Sequence, residues 1–291
     1  MIVNDRRQAA IDALAFQFEA GVDVALDEAA PDRFAEQPIA PKAAASPARG
    51  FEEAPRTAPP AFTPAPVAPA APPPVLPGAE AAVTSAREAA KSAATLEALR
   101  AELARFDGCA LKTTAMNLVF ADGNPEAKVM FVGEAPGADE DREGLPFVGR
   151  SGKLLDRMLA AVGLDRTQVY IANIVPWRPP GNRTPTPQES AICLPFIRRQ
   201  IELVNPDILV CLGKPSMQTL LGVQQGIRSV RGRWYDFDTG TRTIKALVTF
   251  HPAYLLRSPL EKRHSWRDFL ALKKALASFS PQRGEKVPSE R

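Results

Sequence analysis

Four short apolar runs alternate with amphipathic segments, and this alternation constrains the fold of the chain more than any other feature. The runs are AKVMFVGE (127–134), QVYIANIV (168–175), DILVCLG (207–213) and IKALVTF (244–250). Their length and continuous apolar character are typical of strands that are buried on both faces of a sheet. Because segments of helical periodicity separate the runs, we predict an α/β fold, a three-layer α/β/α sandwich with a central, mainly parallel four-stranded sheet.

The predicted helices follow from apolar residues at helical spacing and from capping residues at their ends. They cover residues 84–106, 152–164, 186–204, 214–222 and 265–279.

A proline- and alanine-rich arm precedes this predicted sandwich. Residues 31–77 hold 14 of the 29 prolines, too many for a packed core, because proline stiffens the chain and lacks a backbone donor. We therefore divide the chain into four parts: a short helical segment at 1–30, a disordered Pro/Ala-rich linker at 31–83, the folded domain at 84–280 and a disordered tail at 281–291.

The net charge of +3 conceals an asymmetry between the arm and the domain. Residues 1–85 carry 6 Lys and Arg against 11 Asp and Glu, whereas residues 86–280 carry 27 against 20. A basic domain behind an acidic arm favours a polyanionic partner, although an ordinary solvated surface can carry the same charge. No apolar run reaches the roughly 18 residues of a membrane span, and the N-terminus lacks signal-peptide features. We therefore expect a cytoplasmic protein without membrane association.

Three of the four predicted strands end in clusters rich in polar residues and glycine. The clusters are GEAPGADEDREGLPFVG (133–149), NIVPWRPPGNRTP (173–185) and HPAYLLR (251–257). Ligands of parallel sheets bind at the carboxyl ends of the strands, so we expect the three clusters to share one pocket.

The residue types in these clusters suit a planar polar ligand and phosphate groups. Phe147 lies in a glycine-flanked turn, where it either packs into the core or offers its face to a planar ligand. Asn173 either caps a turn or reads an amide-like edge, since its side chain both donates and accepts. Arg178 and Arg183 suit phosphate contact or an exposed surface. The glycine spacing matches neither a phosphate-binding P-loop nor a dinucleotide fingerprint, which argues against a nucleoside triphosphatase.

Four motifs carry a resemblance to a known family. GEAPGADED, GLPFVGRSGKLLD, YIANIVPWRPPGNRTPTPQE and HPAYLLR, in this order and spacing, resemble the family 4 uracil-DNA glycosylases, from about Phe106 to about Leu276. The resemblance implies an enzyme of base-excision repair; we expect it to be a monomer, and the absence of lysine from the three clusters argues against a Schiff-base lyase, so we expect it to be monofunctional. Such an enzyme flips uracil out of single- or double-stranded DNA and hydrolyses its N-glycosidic bond, leaving an abasic site. A protein partner for residues 1–85 stays open.

The resemblance also implies roles for individual residues. Glu134 would hold the attacking water, and His251 would stabilise the departing uracil anion by a bond to its O2, as an oxyanion hole does. A carboxylate also offsets the positive charge that develops on the sugar. The implied uracil-binding residues are Gly133, Ala135, Glu140 (beside uracil C5), Phe147 (stacking) and Asn173 (base edge). The implied DNA contacts are Arg178, Arg183 and, in the loop that enters the minor groove, Tyr254, Leu255, Leu256 and Arg257.

The chain departs from the family at the usual 4Fe–4S cluster, which four cysteines hold. Cys109 and Cys193 match two of the ligands, but Phe106 and Trp177 stand at the other two positions. A cluster of this kind normally needs four protein ligands, and Cys211 lies inside an apolar strand. We therefore expect no cluster, no other metal and no cofactor, with Phe106 and Trp177 filling the space by apolar packing.

Two alternatives stay open at this stage. The first is a non-catalytic DNA- or uracil-binding module, which the acidic arm would tether to a replication or repair complex. Such a module would be expected to lose Glu134 or His251, and both are present. The second is a glycosylase of the same fold that prefers another base. The presence of Asn173 and Phe147 favours uracil over this alternative.

Overall fold

The structure, a computed structural model, describes residues 78–279. The predicted helical segment at 1–30, the tail at 281–291 and the linker up to residue 77 lie outside the described residues. Within residues 78–279, no helix is both long and apolar enough to cross a membrane.

A single mixed sheet forms the centre of the domain. Its strands are β1 (Asp122–Gly123), β2 (Val129–Gly133), β3 (Val169–Asn173), β4 (Ile208–Leu212), β5 (Trp234–Asp238) and β6 (Thr243–Thr249). They are ordered β1-β3-β2-β4-β6-β5. The four predicted strands β3, β2, β4 and β6 form the parallel centre, which confirms the predicted fold.

The sheet has six strands rather than four, because an antiparallel strand is added at each edge. Strand β1 pairs with β3 over two residues, and β5 pairs with β6. Both lack the apolar run that marks a buried strand: β1 is too short, and most of the β5 residues (WYDFD) are half-buried or exposed. Edge strands of this kind carry little periodic signal in the sequence.

Helices cover both faces of the sheet. They are α1 (Ala79–Ser92), α2 (Leu96–Arg105), α3 (Ala138–Glu143), α4 (Arg150–Ala161), α5 (Pro187–Val204), α6 (Lys214–Leu221), α7 (Ile227–Val230), α8 (Pro252–Arg257) and α9 (Lys262–Phe279). The helix predicted at 84–106 is two helices, and the first begins at Ala79, inside the predicted linker. The break follows from an extended backbone at Ala93 and from Thr95, whose side chain accepts a hydrogen bond from the Ala98 amide and starts a new helix.

Successive strand residues face opposite layers, which divides the core in two. On β2, Met130 packs into the layer formed with α1, α2 and α5, whereas Phe131 packs against α4 and α9. The ring of Phe131 stacks on that of Phe269, with centroids 6.0 Å apart. Because both faces are buried, the central strands read as continuous apolar runs.

Parallel pairing continues past the ends of β2 and β3 and fixes the residues that follow them. Gly133 is in register with Asn173, and the Ile174 amide donates to the Gly133 carbonyl at 3.0 Å. The Val175 amide donates to the Glu134 carbonyl at 3.0 Å. The backbones that carry Glu134 and Asn173 are therefore held side by side at the carboxyl edge of the sheet.

Candidate active site

One pocket of about 530 Å³ opens at the carboxyl edge of the sheet. Residues from all three predicted clusters line it, as expected for ligands of parallel sheets. The predicted residues along its wall are Glu134, Ala135, Glu140, Phe147, Asn173, Arg183, His251, Tyr254 and Arg257.

Phe147 reaches the pocket from a turn with a left-handed backbone. Its φ is +55°, a costly conformation for a bulky residue, so the surroundings must hold it. The Arg166 guanidinium donates to the Phe147 carbonyl and, at 3.2 Å, to the Pro146 carbonyl. Gly152 on α4 packs so close that a Cβ there would lie 1.6 Å from the Phe147 carbonyl oxygen. The ring centroid of Phe147 lies 5.3 Å from that of His251.

Glu134 is the first residue after β2, and one of its carboxylate oxygens is buried without a partner. Oε1 accepts no hydrogen bond from the described residues. Burial raises the pKa of the Glu134 carboxyl, and the nearby Thr184 side chain partly opposes this rise. An unpartnered buried acceptor is costly, so this oxygen is suited to bind a donor that arrives with the substrate.

Asn173, the last residue of β3, offers a second unpartnered acceptor. Its side chain is 5% exposed, and Oδ1 has no hydrogen-bond partner within residues 78–279. A Cβ at Gly133 would lie 2.4 Å from this Oδ1 and 2.6 Å from Cζ of Phe147. The absence of a side chain at Gly133 is therefore what lets the carboxamide and the aromatic ring approach each other.

His251 is the N-cap of α8, so the predicted HPAYLLR loop is a short helix. Pro252 suits its first position, and Nδ1 of His251 accepts a hydrogen bond of 3.1 Å from the Ala253 amide. An accepting Nδ1 carries no proton, so the neutral ring carries it on Nε2. Loss of hydration lowers the pKa of His251 to about 4, and the positive charge of Arg257 contributes. Near neutral pH the ring is therefore an uncharged donor.

Glu140 holds the loops around the pocket together. Its Oε2 accepts from the Gly137 amide at 3.1 Å, and its Oε1 accepts from the Gly149 amide at 3.0 Å. One carboxylate thus ties the start of α3 to the turn that carries Phe147. The side chain lines the pocket while both of its oxygens are engaged by backbone.

The two arginines of the second cluster are engaged within the protein. Arg178 donates to Oδ1 of Asn182 at 2.7 Å. Arg183 pairs with Glu189 through two bonds of 2.7 and 2.8 Å. A phosphate would have to compete with these partners, and Glu189 also closes the capping box of α5.

The apolar tip of α8 is divided between core and solvent. Leu256 is 37% exposed, whereas Leu255 is 1% exposed and lines a separate apolar groove with Trp266 and Phe269. Leu255 is therefore the less accessible of the two leucines proposed to contact DNA, because neighbouring residues of a helix point in different directions. Leu260, 85% exposed, is the second protruding leucine of this region.

Sequence reasoning missed part of the wall. The end of β4 contributes Gly213 and Lys214, and Ser151, Thr184 and Ile227 line other sides. The rule that placed the three clusters at strand ends also applies to the GKPS stretch after β4, so a signal was present there. Ile227 belongs to the short helix α7, which has no such signal.

The region of the family's cluster cysteines is packed with apolar side chains. Cys109 and Cys193 are buried with their Sγ atoms 4.0 Å apart. The Phe106 ring packs edge-on against Phe196 at 5.1 Å, and Trp177 is 2% exposed. The contact between the two thiols, together with burial, raises the pKa of Cys193 well above its ordinary value, while the same contact lowers the pKa of Cys109. The residues present therefore do not fit a cluster with four cysteine ligands.

Comparisons with known proteins agree with this geometry. Residues 120–271 match the model of the uracil DNA glycosylase superfamily. The chain is 43% identical over 164 residues to a type-4 uracil-DNA glycosylase of Thermotoga maritima, covering 56% of this chain and 84% of that protein. It is 41% identical over 165 residues to one of Archaeoglobus fulgidus (55% and 83%). It is 38% identical over 194 residues to one of Sulfurisphaera tokodaii (65% and 87%).

Proposed function

Since this chain belongs to the uracil-DNA glycosylase superfamily and, within it, to the type-4 enzymes, we propose that its strand-end pocket excises uracil from DNA. The reaction is the hydrolysis of the N-glycosidic bond of a flipped deoxyuridine, which leaves an abasic site for base-excision repair. The observation that carries the proposal is the pair of buried, unpartnered oxygens on Glu134 and Asn173 in one pocket. The Glu134 oxygen suits the binding of a water, and the Asn173 oxygen suits the edge of a base.

Asn173 selects the base. Its free Oδ1 accepts the N3–H of uracil, and the same carboxamide can donate to uracil O4. Cytosine presents the opposite pattern, an acceptor at N3 and an amino donor at C4, so it would leave the buried oxygen unpaired. Phe147 offers its ring to the flipped base, and base–aromatic stacking contributes on the order of 1–3 kcal/mol. The carboxylate of Glu140 keeps this ring and the neighbouring loop in place.

His251 stabilises the leaving group. As the glycosidic bond breaks, negative charge builds on the uracil, and the Nε2–H donates to O2. A neutral donor in a partly dehydrated pocket acts as an oxyanion hole does, without first holding a charge of its own. Removing one such donor typically costs a factor of about 10²–10³ in rate.

Glu134 acts on the sugar side of the bond. Its carboxylate accepts a hydrogen bond from the attacking water and offsets the positive charge of the oxocarbenium-like sugar. Ala135 lines this part of the wall, and Gly133, at the end of β2, is proposed to let the base approach the backbone. The stretches 133–149, 173–185 and 251–257 contain no lysine, and the proposed step is hydrolysis by a water held at Glu134 rather than a Schiff-base lyase step. Lys214, on the wall after β4, lies outside those stretches.

The DNA is held around the mouth of the pocket. Leu256 is the proposed wedge that fills the space of the flipped nucleotide, and Tyr254 and Arg257 flank it. Arg178 and Arg183 are proposed phosphate contacts. We propose that the enzyme works as a monomer in the cytoplasm and that residues 1–85 attach it to a protein partner.

We propose that the enzyme works without an iron–sulfur cluster. The support is the packing of Phe106 and Trp177 at two of the positions where the family usually has ligands. The contact of the Phe106 ring with Phe196 joins the end of α2 to α5, and Trp177 is buried in the same apolar cluster.

A glycosylase assay tests the function. Oligonucleotides with a single uracil, cytosine or thymine are incubated with the protein, and abasic sites are cleaved with alkali. We expect cleavage of the uracil strand alone, with free uracil recovered from the solution. Binding of uracil-containing DNA without release of the base would contradict the proposal and support the non-catalytic alternative. Faster cleavage with another base would support the shifted-preference alternative.

A further inference from the structure

The segment that carries the proposed DNA wedge is held at both ends by one arginine from outside the pocket motifs. Leu256 and Leu260, the protruding leucines, lie between Tyr254 and Glu261. Nη2 of Arg228, on helix α7, donates to the Tyr254 hydroxyl at 2.8 Å and lies 3.1 Å from Oε1 of Glu261. A single guanidinium nitrogen therefore bridges the two residues that bracket the wedge.

The backbone of helix α7, which carries Arg228, is held in place by bonds to α9 and to the sheet. Three residues further along, Arg231 forms an ion pair with Asp268, which is 1% exposed. Arg231 also donates to the His264 carbonyl at 3.0 Å, and Asp268 accepts a hydrogen bond of 2.7 Å from Thr249 on β6. These buried bonds join α7 to α9 and to the sheet, so the Arg228 backbone is fixed relative to the pocket.

The Arg228 side chain is itself 72% exposed. Exposed ion pairs contribute little to the stability of the fold. Stability therefore does not explain why Arg228 bonds both Tyr254 and Glu261. The Tyr254 ring packs on Phe250 with centroids 5.0 Å apart, and both Tyr254 and Ile227 line the pocket. The bridge thus joins the pocket wall to the protruding leucines.

We infer that Arg228 is a positioning residue that clamps the wedge segment 254–261 in its inserting shape, so that the enzyme can flip uracil out of double-stranded DNA. This inference rests on the proposed glycosylase function. A clamp is needed most where a stacked and paired base must be expelled, and least where the base is already unstacked. Its loss should therefore affect double-stranded substrates far more than single-stranded ones.

Two substitutions of opposite charge separate the clamp from simple attraction to phosphate. Arg228→Ala removes a positive charge and the whole bridge, whereas Glu261→Gln removes a negative charge and leaves at most a weaker, neutral hydrogen bond to Arg228. If charge alone mattered, Arg228→Ala would weaken and Glu261→Gln would strengthen activity on DNA. A clamp predicts that both variants lose activity on double-stranded DNA. It also predicts that the double variant loses no more than the worse single one, because both act through one interaction.

The experiment measures kcat/KM for wild type and variants on matched single- and double-stranded uracil substrates. With Arg228→Ala and Glu261→Gln we expect losses of about tenfold or more on the duplex and much smaller losses on the single strand. Fluorescence of a 2-aminopurine beside the uracil should show reduced flipping, and Arg228→Lys should restore part of it. Lys245→Ala breaks an exposed ion pair with Asp236 on the β5–β6 edge, away from the pocket; it is the control for loss of a surface ion pair and should match wild type.

Three results would contradict the inference that Arg228 positions the wedge segment. They are equal losses on both substrates, a gain of duplex activity in Glu261→Gln, and unchanged duplex activity in Arg228→Ala. An inactive wild-type protein would instead contradict the glycosylase function, so the two failures are distinguishable. Thermal unfolding of each variant checks that the fold is intact.

Discussion

The amide of Ala253 donates a hydrogen bond of 3.1 Å to Nδ1 of His251, and this bond decides which ring nitrogen carries the proton. The helix α8 starts at the histidine, so an otherwise unpaired amide of its first turn takes Nδ1 as its acceptor. Nε2 is left as the donor toward the pocket. A local feature of helix capping thus prepares the chemistry proposed for the leaving group.

The first prediction concerns the protonation of His251. Because loss of hydration and Arg257 lower its pKa to about 4, the ring should be neutral and protonated on Nε2 at pH 7. Nitrogen-15 NMR of labelled protein measures this directly. The chain has only two histidines, so a His264→Ala variant leaves one set of ring signals to assign. Protonation on Nδ1, or a titration near the ordinary value of 6.5, would contradict the assignment.

The second prediction concerns the acidic limb of the pH–rate profile. Burial raises the pKa of Glu134 above its ordinary 4.5, and the charged carboxylate is the active form. Activity should therefore fall as the pH decreases through this raised pKa, while His251 is still neutral. Single-turnover excision rates between pH 4 and 8 test this, with Glu134→Gln as the comparison. The variant should be slow and lack the limb at pH values where His251 is still neutral, and a limb that persists there in Glu134→Gln would refute the assignment.

The third prediction concerns the turn that carries Phe147. A Cβ at position 152 would lie 1.6 Å from the Phe147 carbonyl oxygen, so Gly152→Ala must displace the turn or α4. Overpacking of this kind typically costs about 1–3 kcal/mol of stability, and uracil excision should fall as the ring moves. Gly226→Ala is the matched control, since Gly226 has a φ of −64° and nothing within 4 Å of its Cβ position. Equal behaviour of the two variants would contradict this account of the turn.

The fourth prediction concerns the cysteine region. The double variant Cys109→Ala, Cys193→Ala should keep wild-type excision, and purified wild type should contain no iron and show no iron–sulfur absorption. Phe106→Ala should instead lower the free energy of unfolding by about 3–5 kcal/mol, because it opens a cavity in the packing against Phe196. Stoichiometric iron in the wild-type protein, or loss of activity in a cysteine variant that unfolds at the wild-type temperature, would contradict this prediction.

Much of this fold was predictable because its central strands are buried on both faces. Continuous apolar runs mark such strands, and the polar residues that follow them then fall at one edge of the sheet. The sequence pattern therefore predicts that Glu134, Asn173 and His251 lie near one another. The edge strand β5 was not predictable in the same way, since most of its residues are half-buried or exposed.

Other features depend on contacts that a linear pattern does not contain. The direction of Leu255 follows from the helical shape of α8, which was expected to be a loop. The bridge from Arg228 to Tyr254 and Glu261 joins segments about thirty residues apart, and α7 has only four residues. The unpartnered oxygens of Glu134 and Asn173 likewise emerge only when all their neighbours are placed.

The fifth prediction tests the central claim, that the strand-end pocket excises uracil. A single-stranded oligonucleotide with one uracil is incubated with excess enzyme, and the fraction of abasic strands is followed with time for wild type and Asn173→Ala. We expect complete conversion by wild type and a rate lower by a factor of about 10²–10³ in the variant, whose site has lost its contacts to the base edge. No conversion by wild type, or an unchanged rate in Asn173→Ala, would contradict the account.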